Sequence, residues 1–252
     1  MEKKLYGTVL LKAQKILDYI ASAKAAPTLG DLSDHLDISK PTIYKILTTL
    51  TYCGYVKATT AGNEKVYHLG TIFLHYAQAV NDSLDITAIA KPYLTALRDA
   101  TAETVNLGID DEGSIVLLSK MESTNSIKLV SVIGGKMHMY SSAMGKAILA
   151  AYPPRELDDY LAHVDFQRLT PNTITDKQGL RKDLEKIRQQ GYAIDNVENQ
   201  AGVYCIGFSI VANGKIYGAF SISIPEYRLT EEKREQFITL GKRTREKIIA
   251  KL

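Results

Sequence analysis

Cysteine is scarce in this chain: Cys53 and Cys205 are the only two among 252 residues, and no C-x-x-C occurs. One pair in a chain this long is no disulfide framework. The five histidines (His35, His68, His75, His138, His163) fall in no H-x-H or H-E-x-x-H spacing, so no zinc site and no other cofactor is implied. No apolar run approaches the roughly 18–20 residues that a membrane-spanning helix needs. Lys12 cuts the run after the basic start Met1-Glu2-Lys3-Lys4 too early for a signal peptide. The catalytic signatures are missing as well. There is no G-x-S-x-G, and no histidine shares a motif with Cys205 or Ser221. Gly145-Lys146 lacks the upstream glycine and following hydroxyl of a P-loop. These absences exclude a disulfide scaffold, a membrane protein and the common enzymes. With 45% hydrophobic and 23% charged residues, the chain reads as a folded cytoplasmic protein of one large or two modest domains.

Net charge is only +3, but it is unevenly placed. Residues 1–70 hold nine lysines against six acids, and the remainder holds 22 basic and 22 acidic residues. The whole excess lies on the first 70 residues, with the sign that phosphate contact requires. None of those basic residues is arginine, so the commonest bidentate guanine reader is absent.

That segment carries the clearest pattern in the chain. Ile43, Ile46, Leu47 and Leu50 are spaced as one buried stripe on a helix. Its other face carries Thr42, Tyr44, Lys45, Thr48 and Thr49, and Ser39-Lys40-Pro41 is its start, with Ser39 the better N-cap. Thr28 to Asp31 has capping-box form ahead of a shorter helix with Leu32 and Leu36 on its apolar side. Asp37-Ile38-Ser39 is the turn between them, with Ile38 as its plug. A packing helix over 8–23, with Val9, Ala13, Ile16, Leu17 and Ile20 on one face, precedes the pair. Strands around Ala61 to Glu64 follow it. Together these predict a winged helix-turn-helix, whose second helix lies in the major groove of double-stranded DNA. Ser39, Lys40, Thr42, Tyr44 and Lys45 on that helix, with Lys57 and Lys65 on the wing, are the expected DNA contacts.

Residues 71–82 read as a linker helix with Leu74, Tyr76, Ala77 and Val80 spread around it. That spread suits dimer contacts or packing on its own domain. Beyond it, the pattern predicts a helix from Ser83 to Ala102 broken near Pro92, and strands over Val105–Ile109, Ser114–Ser119 and Ile127–Ile133. A small-residue helix Ala143–Ala151 is capped by Ser141 or Ser142, and a further helix spans 155–163. Thr175-x-x-Gln178 reads as a capping box opening a helix that ends at Gly191. A strand Tyr192–Val197 follows, and Val203–Ala212 and Lys215–Ile224 form a hairpin through Asn213-Gly214. A terminal helix starts after Thr230. Helices mixed with antiparallel strands give an α+β domain.

On the last hairpin, Ser221 and Ser223 share a face. Cys205 on the partner strand can join them, and Asp195 can add an acceptor, or a donor if burial keeps it protonated. Two hydroxyls and a thiol over an apolar sheet suit a small acid or ketone. A solvated face of an edge strand is the other reading of the same residues.

Several motifs in order resemble one family. The winged motif ends in Tyr67-His68-Leu69-Gly70. The C-terminal part carries Ser141-Ser142-Ala143-Met144-Gly145-Lys146-Ala147, Leu169-Thr170-Pro171-Asn172-Thr173, Gln190-Gly191-Tyr192 and Gly202-Val203-Tyr204-Cys205. From about Leu10 onward the chain is similar to the IclR family of bacterial transcription regulators. The resemblance implies a winged helix-turn-helix domain (residues 1–70), a linker helix (71–82) and a GAF-like effector domain (83–252). It implies a homodimer or homotetramer on operator DNA, more often a repressor, modulated by a small organic acid. It implies that the acid is held by the backbone at Ala143 and Met144 and by Asp195, Cys205, Ser221 and Ser223. Asp37 stands where the family commonly has glycine, and is expected to take the left-handed conformation there. Met144 is larger than usual and is expected to reshape the pocket. The competing reading is a metabolite-binding module or small-molecule enzyme whose N-terminal domain serves a protein partner.

Overall fold

The structure is a computed structural model and describes residues 7–83, 85–126 and 131–252. The chain forms two compact units that divide after Ser83.

The N-terminal unit is built from three helices, a hairpin and a fourth helix: α1 (Thr8–Ser22), α2 (Leu29–His35), α3 (Lys40–Tyr52), β1 (Val56–Ala61), β2 (Glu64–Leu69) and α4 (Ile72–Ser83). The expected stripe is the core. Ile43, Ile46, Leu47 and Leu50 of α3 are buried against Ile16, Leu32, Val56 and Tyr67. The capping box is complete, because Thr28 Oγ1 accepts from Asp31 N–H at 3.1 Å and Asp31 Oδ2 accepts from Thr28 N–H at 2.8 Å. Aspartate replaces the usual glutamate without loss of reciprocity. Ile38 is buried between α2 and α3. Asp37 is not in the left-handed region, so the turn closes without the glycine conformation expected there. Val9 is 55% exposed and stands apart from the buried face of α1.

The C-terminal unit is a six-stranded antiparallel sheet with helices on both faces. It comprises α5 (Asp85–Thr101), β3 (Thr104–Asp111), β4 (Ser114–Met121), β5 (Lys136–His138), α6 (Ala143–Ala151), α7 (Pro154–His163), α8 (Lys177–Gln190), β6 (Ala193–Asn196), β7 (Val203–Ala212), β8 (Lys215–Pro225) and α9 (Glu231–Ile249). Strand order is β5-β4-β3-β8-β7-β6. The hairpin β7–β8 turns on Asn213-Gly214, both at positive φ, as the type I′ preference predicts. Because strand side chains alternate, each strand divides between two cores. Ile206, Phe208, Phe220 and Ile222 join Leu94 of α5 and Phe237 of α9 on one face. Ile115, Leu117 and Ala219 join Ile148 of α6 and Leu184 of α8 on the other.

Four local expectations are corrected. Pro92 lies inside an unbroken α5. Burial of Ile86, Ala90, Leu94 and Leu97 offsets the roughly 3 kcal/mol that an interior proline costs. Asp176, not Thr175, caps α8, its carboxylate accepting from Gly179 N–H at 2.8 Å. The Thr175 hydroxyl accepts from Arg168 instead. Of the strand expected over 127–133, residues 127–130 lie outside the described residues, and Ser131–Ile133 are not in a strand. The short edge strand β5 was not anticipated, because three residues are too few to show alternation.

Candidate functional site

Two surfaces bring predicted residues together. The first is the outer side of α3. Lys40, Tyr44 and Lys45 are exposed, Tyr44 at 57%. Among the described residues, no carboxylate pairs with Lys40, Lys45, Lys57 or Lys65. Ser39 is the N-cap residue, but its hydroxyl shares a hydrogen bond with the Thr42 hydroxyl at 2.8 Å rather than capping a backbone N–H. Thr48 and Thr49 donate back to the carbonyls of Tyr44 and Lys45, so those hydroxyl protons are engaged within the helix. The two wing lysines separate. Lys57 pairs with His68 and Lys65 with Thr60 in the antiparallel register. Directly opposed residues share a face and successive residues alternate, which puts Lys57 and Lys65 on opposite faces of the wing.

The second is a cavity of about 320 Å³ beside β8, β7 and the start of α6. Its wall includes Ala143, Met144, Asp195, Cys205, Ser221 and Ser223, all six expected effector residues. Strand β8 is internal to the sheet and Ser221 and Ser223 are buried, which removes the solvated-edge reading. Cys205 stands opposite Ser223 in the register, and its thiol donates to the Ser223 hydroxyl at 3.2 Å. One glycine lets the helix approach the sheet, and another lets it approach the turn that precedes it. A Cβ at Gly207 would lie 2.3 Å from the carbonyl oxygen of Ala143, and one at Gly145 would lie 2.3 Å from the backbone of Met139. The Ser142 hydroxyl caps α6 by accepting from Gly145 N–H at 3.1 Å. The first-turn N–H groups have no intrahelical partner, and Ala143 and Met144, which carry two of them, line the cavity. Met144 is buried in the core, its methyl end lying close to Gly108 of β3.

Asp195 is 2% exposed, and its Oδ1 accepts from the backbone N–H groups of Glu198 at 2.6 Å and Asn199 at 3.2 Å. Those bonds favour the charged carboxylate, but burial outweighs them and pushes the carboxyl up to about 7. Burial also pushes the Cys205 thiol up. It therefore stays a neutral hydrogen-bonding group at neutral pH, where a nucleophile needs the thiolate.

Several cavity residues were missed. Asn106 on β3 donates to Ser223 Oγ at 3.1 Å and accepts from Ser131 Oγ at 3.0 Å. Its signal was a lone amide inside an apolar strand. Asn199 and Gln200 also reach the wall, with no legible pattern. Behind the wall, Lys146 is 1% exposed, its Nζ 2.6 Å from Glu198 Oε1 and 2.9 Å from Asp183 Oδ2. It is the one charge in Ala143–Ala151, which was a visible signal. A broader hollow of about 1150 Å³, bounded by Tyr140, Tyr152, Tyr160 and His163 among others, contains none of the expected residues.

Comparison with known proteins agrees with both halves. Residues 9–59 match the IclR helix-turn-helix domain, and residues 78–250 match the bacterial transcriptional regulator IclR C-terminal domain. The chain is 31% identical to the HTH-type transcriptional regulator KdgR of Escherichia coli (strain K12), covering 89% of this chain and 85% of that one. It is 28% identical to the HTH-type transcriptional repressor AllR of the same strain, covering 92% and 84%. The crystal structure of the Thermotoga maritima IclR superposes with a TM-score of 0.83 at 36% identity, covering 97% of this chain and 98% of that one. An α+β chain with an N-terminal helix-turn-helix and a curled antiparallel sheet thus matches relatives that are regulators, not enzymes. The chain belongs to the IclR family of bacterial DNA-binding transcriptional regulators.

Proposed function

We propose that this regulator acts in the cytoplasm as a repressor that binds a palindromic operator as a homodimer or homotetramer, and that a small organic acid in the C-terminal cavity tunes its operator affinity. Residues 1–70 read the DNA, 71–82 link, and 83–252 sense the effector. Ser39, Lys40, Thr42, Tyr44, Lys45, Lys57 and Lys65 supply the DNA contacts, with Lys57 and Lys65 serving different faces of the wing. The observation that carries the effector reading is convergence. Ala143, Met144, Asp195, Cys205, Ser221 and Ser223 come from four separate elements and line one cavity. Self-association is supported within the N-terminal unit by exposed apolar residues: Val9 and Leu10 of α1, Leu74 and Tyr76 of α4. Such a surface on a regulator of two-fold operators suits a second copy. Repression is supported by the relative AllR, a transcriptional repressor.

Mechanistically the coupling is linkage: the acid shifts DNA affinity only as far as it prefers one state of the effector unit over the other. The test is fluorescence anisotropy of the full chain on the DNA upstream of its own gene, with and without a panel of small acids. Ser221→Ala with Ser223→Ala is expected to bind DNA normally and ignore the acid. A double variant that responds like the wild type places the effector elsewhere. Absence of salt-dependent binding to any palindromic DNA at low salt favours the rival role for the N-terminal unit.

A further inference from the structure

The one acid among the described residues of the cavity wall is Asp195, and the buried charges behind it constrain how an effector acid is held there. Among the described residues, Lys146 is the one fully buried ammonium. It is already divided between Glu198 and Asp183, and Glu198 Oε2 is buried with no hydrogen-bond partner. Asp195 stands next in this line, three residues before Glu198 and bonded to its N–H. The titratable groups that act on Asp195 are Glu198 after β6, Lys146 on α6 and the Cys205 thiol opposite it on β7, which shares a side-chain hydrogen bond with it; Asp183 on α8 meets Lys146 behind them. Lys136, the ammonium on the wall itself, is 61% exposed in its side chain and pairs with Asp111 at 2.9 Å. A carboxylate entering here becomes the fourth carboxyl group around one buried ammonium. The hydroxyls, amides and helix start can donate to it, but they do not cancel its charge against that of Asp195.

We propose that Asp195 is the specificity-determining acid of this cavity: it meets the effector carboxylate as a neutral carboxyl, donates a hydrogen bond from Oδ2, and so each acid bound brings one proton with it. This rests on the small-acid reading of the same cavity. Oδ1 already accepts two backbone N–H groups, so the proton belongs on Oδ2. The proton comes from solvent and returns to it on release. Burial that holds the Asp195 carboxyl near neutrality supports the same protonation state, and Glu198 is shifted upward as well. The device selects carboxylic acids through a carboxyl–carboxylate bond where a lysine or arginine would otherwise be needed.

The test uses the full chain and acetate, pyruvate, lactate and benzoate as probes. Calorimetric titration at pH 8 in HEPES and in Tris, which differ in ionisation enthalpy, counts protons. The expected result is close to one proton taken up per acid bound, with affinity falling about tenfold per pH unit above pH 7.5. Asp195→Asn keeps the Oδ1 acceptor and supplies a permanent N–H donor in place of Oδ2. It is expected to bind with no proton uptake and no pH slope. Ser221→Ala is expected to weaken binding at every pH and keep the slope. An acid that binds the wild type without proton uptake and with pH-independent affinity overturns the inference and leaves the small-acid reading standing. Failure of all four acids to bind the wild type at pH 6 removes that reading and the inference together. If the asparagine variant does not fold, the wild-type proton count decides alone.

Discussion

The lysines of the two units do opposite work. On α3, Lys40 and Lys45 are exposed and no described carboxylate meets them. In the C-terminal unit, Lys146 is buried and shared by two acids. An exposed, unpaired ammonium keeps its water and is free to meet a phosphate, where releasing counterions favours binding. A buried ammonium has lost its water and persists only because its partners are fixed around it. Charge in one unit is left exposed and hydrated. In the other it is spent on holding the loop after β6, and with it Asp195, in place beside the cavity.

Removing the buried charge should have the largest effect. Lys146→Ala strands Glu198 and Asp183 and is expected to cost the C-terminal unit about 3–5 kcal/mol, read as an early transition in urea denaturation. An unchanged transition would mean that solvent reaches the site. Next comes pH. The Asp195 carboxyl holds its proton more tightly folded than unfolded, since its value rises from 3.8 to about 7. Its contribution to stability is therefore complete below about pH 4 and is lost as pH rises through 7, an effect on the order of a few kcal/mol. Asp195→Asn should flatten that decline, and thermal melts at pH 5 and 8 measure it. The paired serine substitutions should then cut acid affinity by at least about tenfold, near what two neutral hydrogen bonds contribute, so that acid concentrations that half-release the wild type leave the variant on DNA, with DNA affinity unmoved in the same samples.

Exposed groups should matter less to stability and more to salt. Lys45→Ala is expected to melt like the wild type, to bind operator severalfold more weakly, and to lower the slope of log K against log salt by about one. An unchanged slope removes Lys45 from the phosphate backbone. The smallest effect is expected at the cap of α2, where Thr28→Ala should lower the melting temperature of the N-terminal unit by only a few degrees.

Legibility followed the range of the interaction. The α3 stripe, the Thr28–Asp31 box and the Asn213-Gly214 turn each lie within eight residues of sequence, and each stands where the pattern put it. Where two local signals competed, the nearer-looking one failed. Thr175 lost to Asp176 because the carboxylate reaches the N–H of Gly179. Pro92 did not stop α5, because no single-residue rule weighs the apolar face buried on both sides of it. Part of the cavity was visible for the same reason: Ser221 and Ser223 alternate on one strand, and a hairpin brings Cys205 to them.

The sequence by itself determined the reading helix, the wing, the final hairpin and the family, because periodicity, caps and turn chemistry act over a few residues and are written there in order. Only the tertiary structure decided that Asn106 meets Ser223 across 117 residues, that Lys146 meets Glu198 across 52, and that Lys57 and Lys65 part company on the wing. Those outcomes depend on strand order, register and the close approach of α6 to β7 at Gly207. They are set by how distant segments share a buried volume, a cost and gain that no local pattern encodes.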